Sequence, residues 1–330
     1  MSNMMKAVVV PQPGGPEAMQ MGEVARPTPG PEQLLVRVRA TALNRADTLQ
    51  RAGKYPPPPG ESAILGLELA GEVEAWGDSV QGFSKGQRIC ALVGGGGYAQ
   101  YALVDAQMAI PMPEHWDFTF AAAIPEVFMT ANEAVFWTGG LQAGETLLVH
   151  AGASGVGTTA IQLAKKAGAK VLATAGSAAK LDVCQSLGAE VLINYKEQDF
   201  AQAVLEATNG QGVNQILDFV GGDYFERNLK ALAIYGRMTM LAVMGGAKAE
   251  LFIPLLMSKR LQINGFVLRA RSLEEKRTIT QRLMQRWGND LNQGIVKPII
   301  DKVFDWSQVA EAHRYMEENR NIGKIVMAVD

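Results

Sequence analysis

At 330 residues, 48% of them apolar and 19% charged, the chain has material for about two domains with buried cores. Thirty-one basic side chains against thirty-three acidic ones leave a net charge of −2, without the basic footprint of a nucleic-acid or anionic-membrane binder. Cys90 and Cys184, far apart and outside any Cys-x-x-Cys, exclude a disulfide framework and a cysteine metal site, and fit a reducing cytoplasm.

The first ten residues, with one lysine and one short apolar run before Pro11, do not read as a signal peptide. No apolar run approaches the roughly 20 residues of a membrane helix. Up to about residue 123 the pattern is short strands between turns: Lys6–Val10, Leu34–Ala42, Leu69–Trp76, Arg88–Val93 and Tyr98–Val104. Proline and glycine turns separate them, and only Asn44–Arg51 reads as a helical turn. This predicts a mainly β unit, a small barrel or sandwich.

After Ala121–Ala123 the character changes. Phe118–Phe136 reads as helix around Pro125. Strands at Leu147–Val149, Val171–Ala173, Val191–Ile193, Gln215–Phe219, Arg237–Val243 and Leu261–Phe266 then alternate with helices at Val156–Ala167, Ala178–Leu187, Phe200–Thr208 and Tyr224–Leu232. That alternation predicts a doubly wound parallel sheet with helices on both faces. A mixed tail follows: helix Leu273–Gly288, strand Ile299–Val303, helix Trp306–Glu318 and strand Lys324–Val329. A nucleotide domain inserted in a β-rich one is the expected organisation, with the cleft between them the default site.

The stretch Thr146–Lys165 carries the chemistry. A short buried strand runs into Gly152, Ser154, Gly155, Val156 and Gly157 and then into a helix, the context that makes a dinucleotide fingerprint credible. Backbone N–H groups and the positive helix end face a pyrophosphate there. Gly152 and Gly157 hold the outer glycine positions. Ser154 stands at the middle one, where its hydroxyl can donate to a phosphate oxygen. A ligand-free turn of small residues is the alternative.

An NAD site wants an acid at the end of the second strand, to accept from the ribose hydroxyls. That strand ends Ala175-Gly176-Ser177, without Asp or Glu; Asp182 comes later, inside a helix. Lys180 follows one helical turn on, and Tyr195 follows the third strand. An amine, two hydroxyls and no carboxylate suit a 2′-phosphate, so NADPH is expected over NADH. Otherwise Lys180 is a solvated helix lysine and Tyr195 a half-buried loop residue.

These residues resemble the quinone oxidoreductase/ζ-crystallin branch of the medium-chain dehydrogenase/reductase superfamily, nearest its p53-inducible type. The similarity rests on Ala151-Gly152-Ala153-Ser154-Gly155-Val156-Gly157, Leu43-Asn44-Arg45-Ala46-Asp47, Gly53-Lys54-Tyr55-Pro56, Ile64-Leu65-Gly66-Leu67-Glu68, Ala121-Ala122-Ala123-Ile124-Pro125-Glu126 and Asn321-Ile322-Gly323-Lys324. It implies a GroES-like catalytic domain over 1–123 and 270–330, a Rossmann domain over 124–269, and a homodimer. It also implies nicotinamide contacts from Thr130, Met244 with Gly245, Phe266, Val267 and Leu268, and more weakly Asn321. Zinc-dependent members hold their metal at places that read here Asn44, Leu67 and the Ile124-Pro125-Glu126 region. No zinc is expected, and His115, His150 and His313 show no ligand spacing.

Without a metal, hydride transfer to a quinone needs proximity and a donor for the oxygen that gains charge. Asn44 and Tyr55 are the candidates, through an amide and a phenolic proton. The plainer readings are a helix N-cap for Asn44 and packing on the following prolines for Tyr55. The expected activity is a zinc-independent NADPH:quinone oxidoreductase acting on a small electrophile, with neither nucleic acid nor membrane as partner. The alternatives are an enal or enoyl reductase with Tyr55 as proton donor, and an NADPH-binding protein with little catalysis.

Overall fold

In the computed structural model, which describes residues 3–330, the chain divides after Val127 and again after Leu268. Unit 1 is Met1–Val127 with Arg269–Asp330, and unit 2 is Phe128–Leu268. No helix among the described residues is long and apolar enough to cross a membrane.

Unit 1 opens with the antiparallel pair β1 (Met4–Val9) and β2 (Gln20–Ala25). Then come β3 (Gln33–Ala42), α1 (Arg45–Arg51), β4 (Glu68–Trp76), β5 (Arg88–Leu92), β6 (Tyr101–Asp105), the short β7 (Ile110–Pro111) and α2 (Phe118–Ala122). Along β3, Val36, Val38 and Ala40 are buried while Arg37 points to solvent, the period of two that gives a sheet one dry face. The chain enters unit 2 within α3 (Pro125–Asn132), and a π-helical segment, Glu133–Thr138, follows.

Unit 2 comprises β8 (Thr146–Val149), α4 (Gly155–Lys166), β9 (Lys170–Ala175), α5 (Ala178–Ser186), β10 (Val191–Asn194), α6 (Phe200–Ala207), β11 (Val213–Asp218), α7 (Tyr224–Ala231), β12 (Leu232–Met240), α8 (Ile253–Lys259) and β13 (Gln262–Gly265). Its six strands are all parallel, in the order β10-β9-β8-β11-β12-β13. Leu147, Leu148 and Val149 are fully buried, as expected of a central strand covered on both faces. The order reverses between β8 and β11, which puts the carboxyl end of β8 at the switch point where such sheets bind ligands.

The chain returns to unit 1 through α9 (Leu273–Asn292), β14 (Ile300–Asp305), α10 (Val309–Glu317) and β15 (Lys324–Ala328). β15 pairs antiparallel with β3, and β3 with β4, in a seven-stranded sheet. The end of β3, the start of β4 and the start of β15 therefore lie at one edge, with Val326 opposite Ala42 and Leu69 opposite Thr41.

The helix expected over Phe118–Phe136 is instead three pieces. Pro125 has no N–H to continue α2 and starts α3 in its place. β2 and α8 were not anticipated.

Candidate active site

At that sheet edge unit 1 buries a cluster of charges. Glu68, the first residue of β4, is fully buried, and its Oε1 lies 2.7 Å from Lys324 Nζ at the start of β15. The same ammonium donates to Leu43 O at 2.7 Å and to Asn44 Oδ1 at 2.8 Å. Asn44 Nδ2 in turn donates to Glu68 Oε1 at 2.9 Å and, more loosely, to Ala42 O at 3.3 Å. Glu68 Oε2 accepts from the backbone N–H of Glu126 at 2.8 Å. Asp47, on α1, accepts from the Asn44 and Gly66 N–H groups at 2.8 and 3.0 Å. Burial pushes the Asp47 carboxyl up to about 6 in spite of those bonds.

Asn44 does stand at the N-cap position of α1, but its side chain is spent on Glu68 and Lys324. Both amide hydrogens are engaged inside the cluster, so Asn44 positions this pair and can donate to an acceptor oxygen only by releasing a partner.

Tyr55 is half-buried, and its hydroxyl has no hydrogen-bond partner among the described residues. Its ring lies over the Arg269 guanidinium, 5.4 Å from centroid to Cζ. Arg269 also donates twice to Gly94 O, at 2.7 and 3.0 Å, and to Gln50 Oε1 at 2.7 Å. It thereby fastens the Tyr55 loop to the sheet and to α1. Burial raises the Tyr55 hydroxyl above its ordinary value, so the phenol keeps its proton at neutral pH.

Behind the cluster runs a buried chain. Arg51 pairs with Glu317 and donates to His313 Nδ1 at 3.1 Å. A guanidinium only donates, so Nδ1 accepts and the proton sits on Nε2, 3.1 Å from Tyr98 Oη. Burial, with the Asp47 and Glu68 carboxylates nearby, raises the Tyr98 hydroxyl well above its ordinary value. Burial, with Arg51 beside it, holds His313 down to about 3, so the imidazole is neutral.

In unit 2, Ser154 is the N-cap of α4, its Oγ accepting from Gly157 N–H at 3.0 Å. The hydroxyl proton stays available for a phosphate. The N–H groups of Gly155 and Val156, in the first turn, have no intrahelical acceptor. A side chain at Gly157 would strike the Ala151 and Gly152 carbonyls, which is why the helix can start so close to β8. His150 pins the end of β8: Nδ1 lies 3.0 Å from Thr174 Oγ1 and Nε2 2.7 Å from Asn228 Oδ1.

At the tip of β9, Ser177 caps α5 by position and Lys180 lies in its first turn. A methyl group placed on Gly176 would meet Tyr195 Oη at 2.5 Å and Lys196 Cε at 3.3 Å. Gly176, Tyr195 and Lys196 are thus one surface. Asn194 pairs with Ala175 in register, and no carboxylate ends β9. The sequence alone gives Lys196 no role; the structure brings its side chain, with Tyr195, against Gly176.

Thr130 Oγ1, on α3, is buried without a hydrogen-bond partner among the described residues, an orphan that a bound amide or hydroxyl would satisfy. Met244 is exposed on the loop after β12. Phe266 and Leu268 are buried, while Val267 is exposed. Asn321, in unit 1, donates to Gly323 O at 2.7 Å and shapes the turn into β15. With a capped helix start, an acid-free strand tip and an orphan hydroxyl, unit 2 fits a dinucleotide.

Residues 30–114 match the alcohol dehydrogenase GroES-like domain model, and residues 155–285 match the zinc-binding dehydrogenase model. The chain belongs to the medium-chain dehydrogenase/reductase superfamily and is an oxidoreductase. Within it the similarity reaches the quinone oxidoreductases: that of Rattus norvegicus is 31% identical over 331 residues, 98% of each chain. A solved NAD-dependent alcohol dehydrogenase is 33% identical with a TM-score of 0.88, covering 99% of this chain and 100% of that one. The CurK enoyl reductase structure is 26% identical with a TM-score of 0.89, covering 100% of both.

The residues here do not fit the zinc that one of these models carries in its name. Leu67 offers a hydrocarbon, Asn44 is committed to its neighbours, and the Lys324 ammonium already stands as the cation against Glu68. No group of three or more His, Cys, Asp or Glu side chains among the described residues could hold a metal.

Proposed function

We propose that this oxidoreductase is a zinc-independent NADPH:quinone reductase. The reading is carried by the cation at Glu68 being a lysine, hydrogen-bonded to Asn44, where a metal-dependent relative needs ligands. With no Lewis acid to polarise an acceptor, the oxygen that gains charge must be met by a protic group. The Tyr55 hydroxyl, uncommitted to protein partners and still protonated at neutral pH, is the group proposed for that role.

A bound dihydronicotinamide supplies the hydride. Unit 2 holds the dinucleotide through the first turn of α4 and Ser154. Gly176, Ser177, Lys180 and Tyr195 take the 2′-phosphate, with Lys196 beside them; Thr130, Met244, Phe266, Val267, Leu268 and Asn321 remain the proposed nicotinamide contacts. The absence of an acid at the tip of β9 favours NADPH over NADH.

The enoyl reductase likeness supports a second reading, reduction of an activated C=C bond with Tyr55 delivering the proton. Steady-state rates on 1,2- and 1,4-quinones against enals and enoyl thioesters separate the two. Turnover on the alkenes with none on quinones overturns the first. Tight NADPH binding with no oxidation by any acceptor would instead leave a binding protein.

We also propose a homodimer. β13 lies at the edge of its sheet, and Ile234, Tyr235, Phe252, Ile253 and Met257 of unit 2 are all exposed.

A further inference from the structure

Glu126 is the one acid of the unit 1 cluster that is reachable and uncommitted. It sits in the first turn of α3, held there by its own N–H bond to Glu68 Oε2. Its side chain is partly accessible, and among the described residues its carboxyl makes neither a hydrogen bond nor an ion pair. Asp47, by contrast, is fully buried and accepts from two backbone N–H groups; Glu68 is fully buried and shared between Lys324 and Asn44.

We propose that Glu126, the accessible and unpartnered carboxyl of the cluster, is the proton donor of the site and protonates the acceptor oxygen. The proposal rests on the quinone reductase reading of this cluster. A quinone that receives a hydride becomes a hydroquinone monoanion, and one proton completes the product. In that step the Glu126 O–H bond breaks and the proton goes to the anionic oxygen, leaving neutral hydroquinone and a Glu126 carboxylate. A proton from water then restores the acid.

Opposing effects decide the protonation state. Burial and the Glu68 carboxylate disfavour a second negative charge. Lys324 and Arg269 favour it, as does the helix start, and Asp47 adds to the repulsion. Lys324 is already held by Glu68, and Arg269 by Gly94 and Gln50, so burial, with repulsion second, prevails and the carboxyl is pushed up to about 8. Glu126 also raises the Tyr55 hydroxyl electrostatically, after burial and against Arg269. The facing charged and titratable groups are thus Glu68 on β4, Asp47 on α1, Lys324 on β15, and Arg269 and Tyr55 in loops.

The test has one readout without cofactor and one with it. In the cofactor-free protein, ¹³C NMR of the glutamate carboxyl carbons should show one group titrating near about 8 that is missing from Glu126→Gln. In turnover with NADPH and a quinone, kcat should fall as pH rises through that value. Glu126→Gln should lose this limb and on the order of a hundredfold in kcat, with melting temperature and NADPH affinity unchanged. Glu126→Asp should keep the limb. A carboxyl titrating in the ordinary acid range, or a Glu126→Gln profile superimposable on wild type, overturns the proposal while quinone reduction stands. Activity on enals alone overturns the quinone reading instead, and the same two profiles measured on the enal then decide the role of Glu126. A protein that reduces no acceptor overturns both.

Discussion

Lys324 Nζ and Glu68 Oε1 stand 2.7 Å apart with both side chains closed off from solvent, and each holds one end of the Asn44 amide. Removing one partner of a buried pair leaves a charge with no compensation, which typically costs about 3–5 kcal/mol. Lys324→Met should therefore lower unfolding stability in urea by about that amount. Glu68→Gln combined with Lys324→Met should recover more than half of the loss. If Lys324→Met costs under about 1 kcal/mol, the pair is not the keystone described.

The nucleotide half of the molecule was legible because its signals are local. Strand, glycine turn and helix follow one another within Thr146–Lys165, and the tip of β9 shows its missing acid in a few residues. The unit 1 cluster was not legible as a cluster. Lys324 reaches Glu68 only because β15 pairs with β3 and β3 with β4, and nothing near either residue announces that register. His313 joins Tyr98 and Arg51 from α10 in the same non-local way. α8 escaped for another reason: none of its residues is fully buried, and only the half-buried Leu255 and Leu256 pack against the core, too narrow a stripe to stand out in the sequence. β2, with an exposed and partly polar sequence, lacks a dry face as well.

Arg269 is fixed by three good hydrogen bonds, two to Gly94 O and one to Gln50, and the Tyr55 ring stacks on the guanidinium so fixed. Arg269→Ala should raise the acceptor KM more than it lowers kcat, because its main effect is to free the loop that carries Tyr55. Arg269→Lys should behave nearly as badly, since a point charge reproduces neither the fork on Gly94 O and Gln50 nor the stack on Tyr55. The KM-to-kcat split in steady-state kinetics is the check, and full rescue by lysine would count against the geometry.

His313 ties stability to pH. Its folded pKa of about 3 lies below the ordinary value of about 6.5, so between those limits the unfolded chain binds a proton that the native state refuses. Its contribution is complete above about 6.5 and is lost on acidification at about 1.4 kcal/mol per pH unit. Asp47 opposes this, since its carboxyl is raised to about 6 and the native state holds the extra proton below that. His313→Gln can keep one acceptor for Arg51 and one donor for Tyr98. Comparing denaturant unfolding of the two proteins across pH isolates the histidine: the difference should narrow as pH falls from about 6.5. A constant offset across that range would mean the imidazole is not held neutral.

The proposed homodimer predicts that Phe252→Glu with Met257→Glu gives a folded monomer by size-exclusion light scattering. Both side chains are exposed on or beside α8, so the single unit should keep its circular dichroism. An unchanged dimer would move the interface elsewhere on the surface, and a wild-type monomer would end the proposal.

Cofactor choice depends on the surface made by Gly176, Lys180, Tyr195 and Lys196. Lys180→Ala should weaken NADPH by ten- to over a hundredfold, about 1.5–3 kcal/mol for one charge-assisted contact, and leave NADH nearly unchanged. Lys196→Ala should do the same to a lesser degree, because Lys196 is exposed and its stem merely flanks Gly176. Ser177→Asp should go further and reverse the preference, since a carboxylate at the tip of β9 repels a 2′-phosphate and can accept from the free ribose hydroxyls of NADH. Fluorescence titration of both dinucleotides against the three variants measures all of this at once. Equal weakening of NADPH and NADH in Lys180→Ala would place the 2′-phosphate off this surface, and the preference for NADPH would then have to come from elsewhere in unit 2.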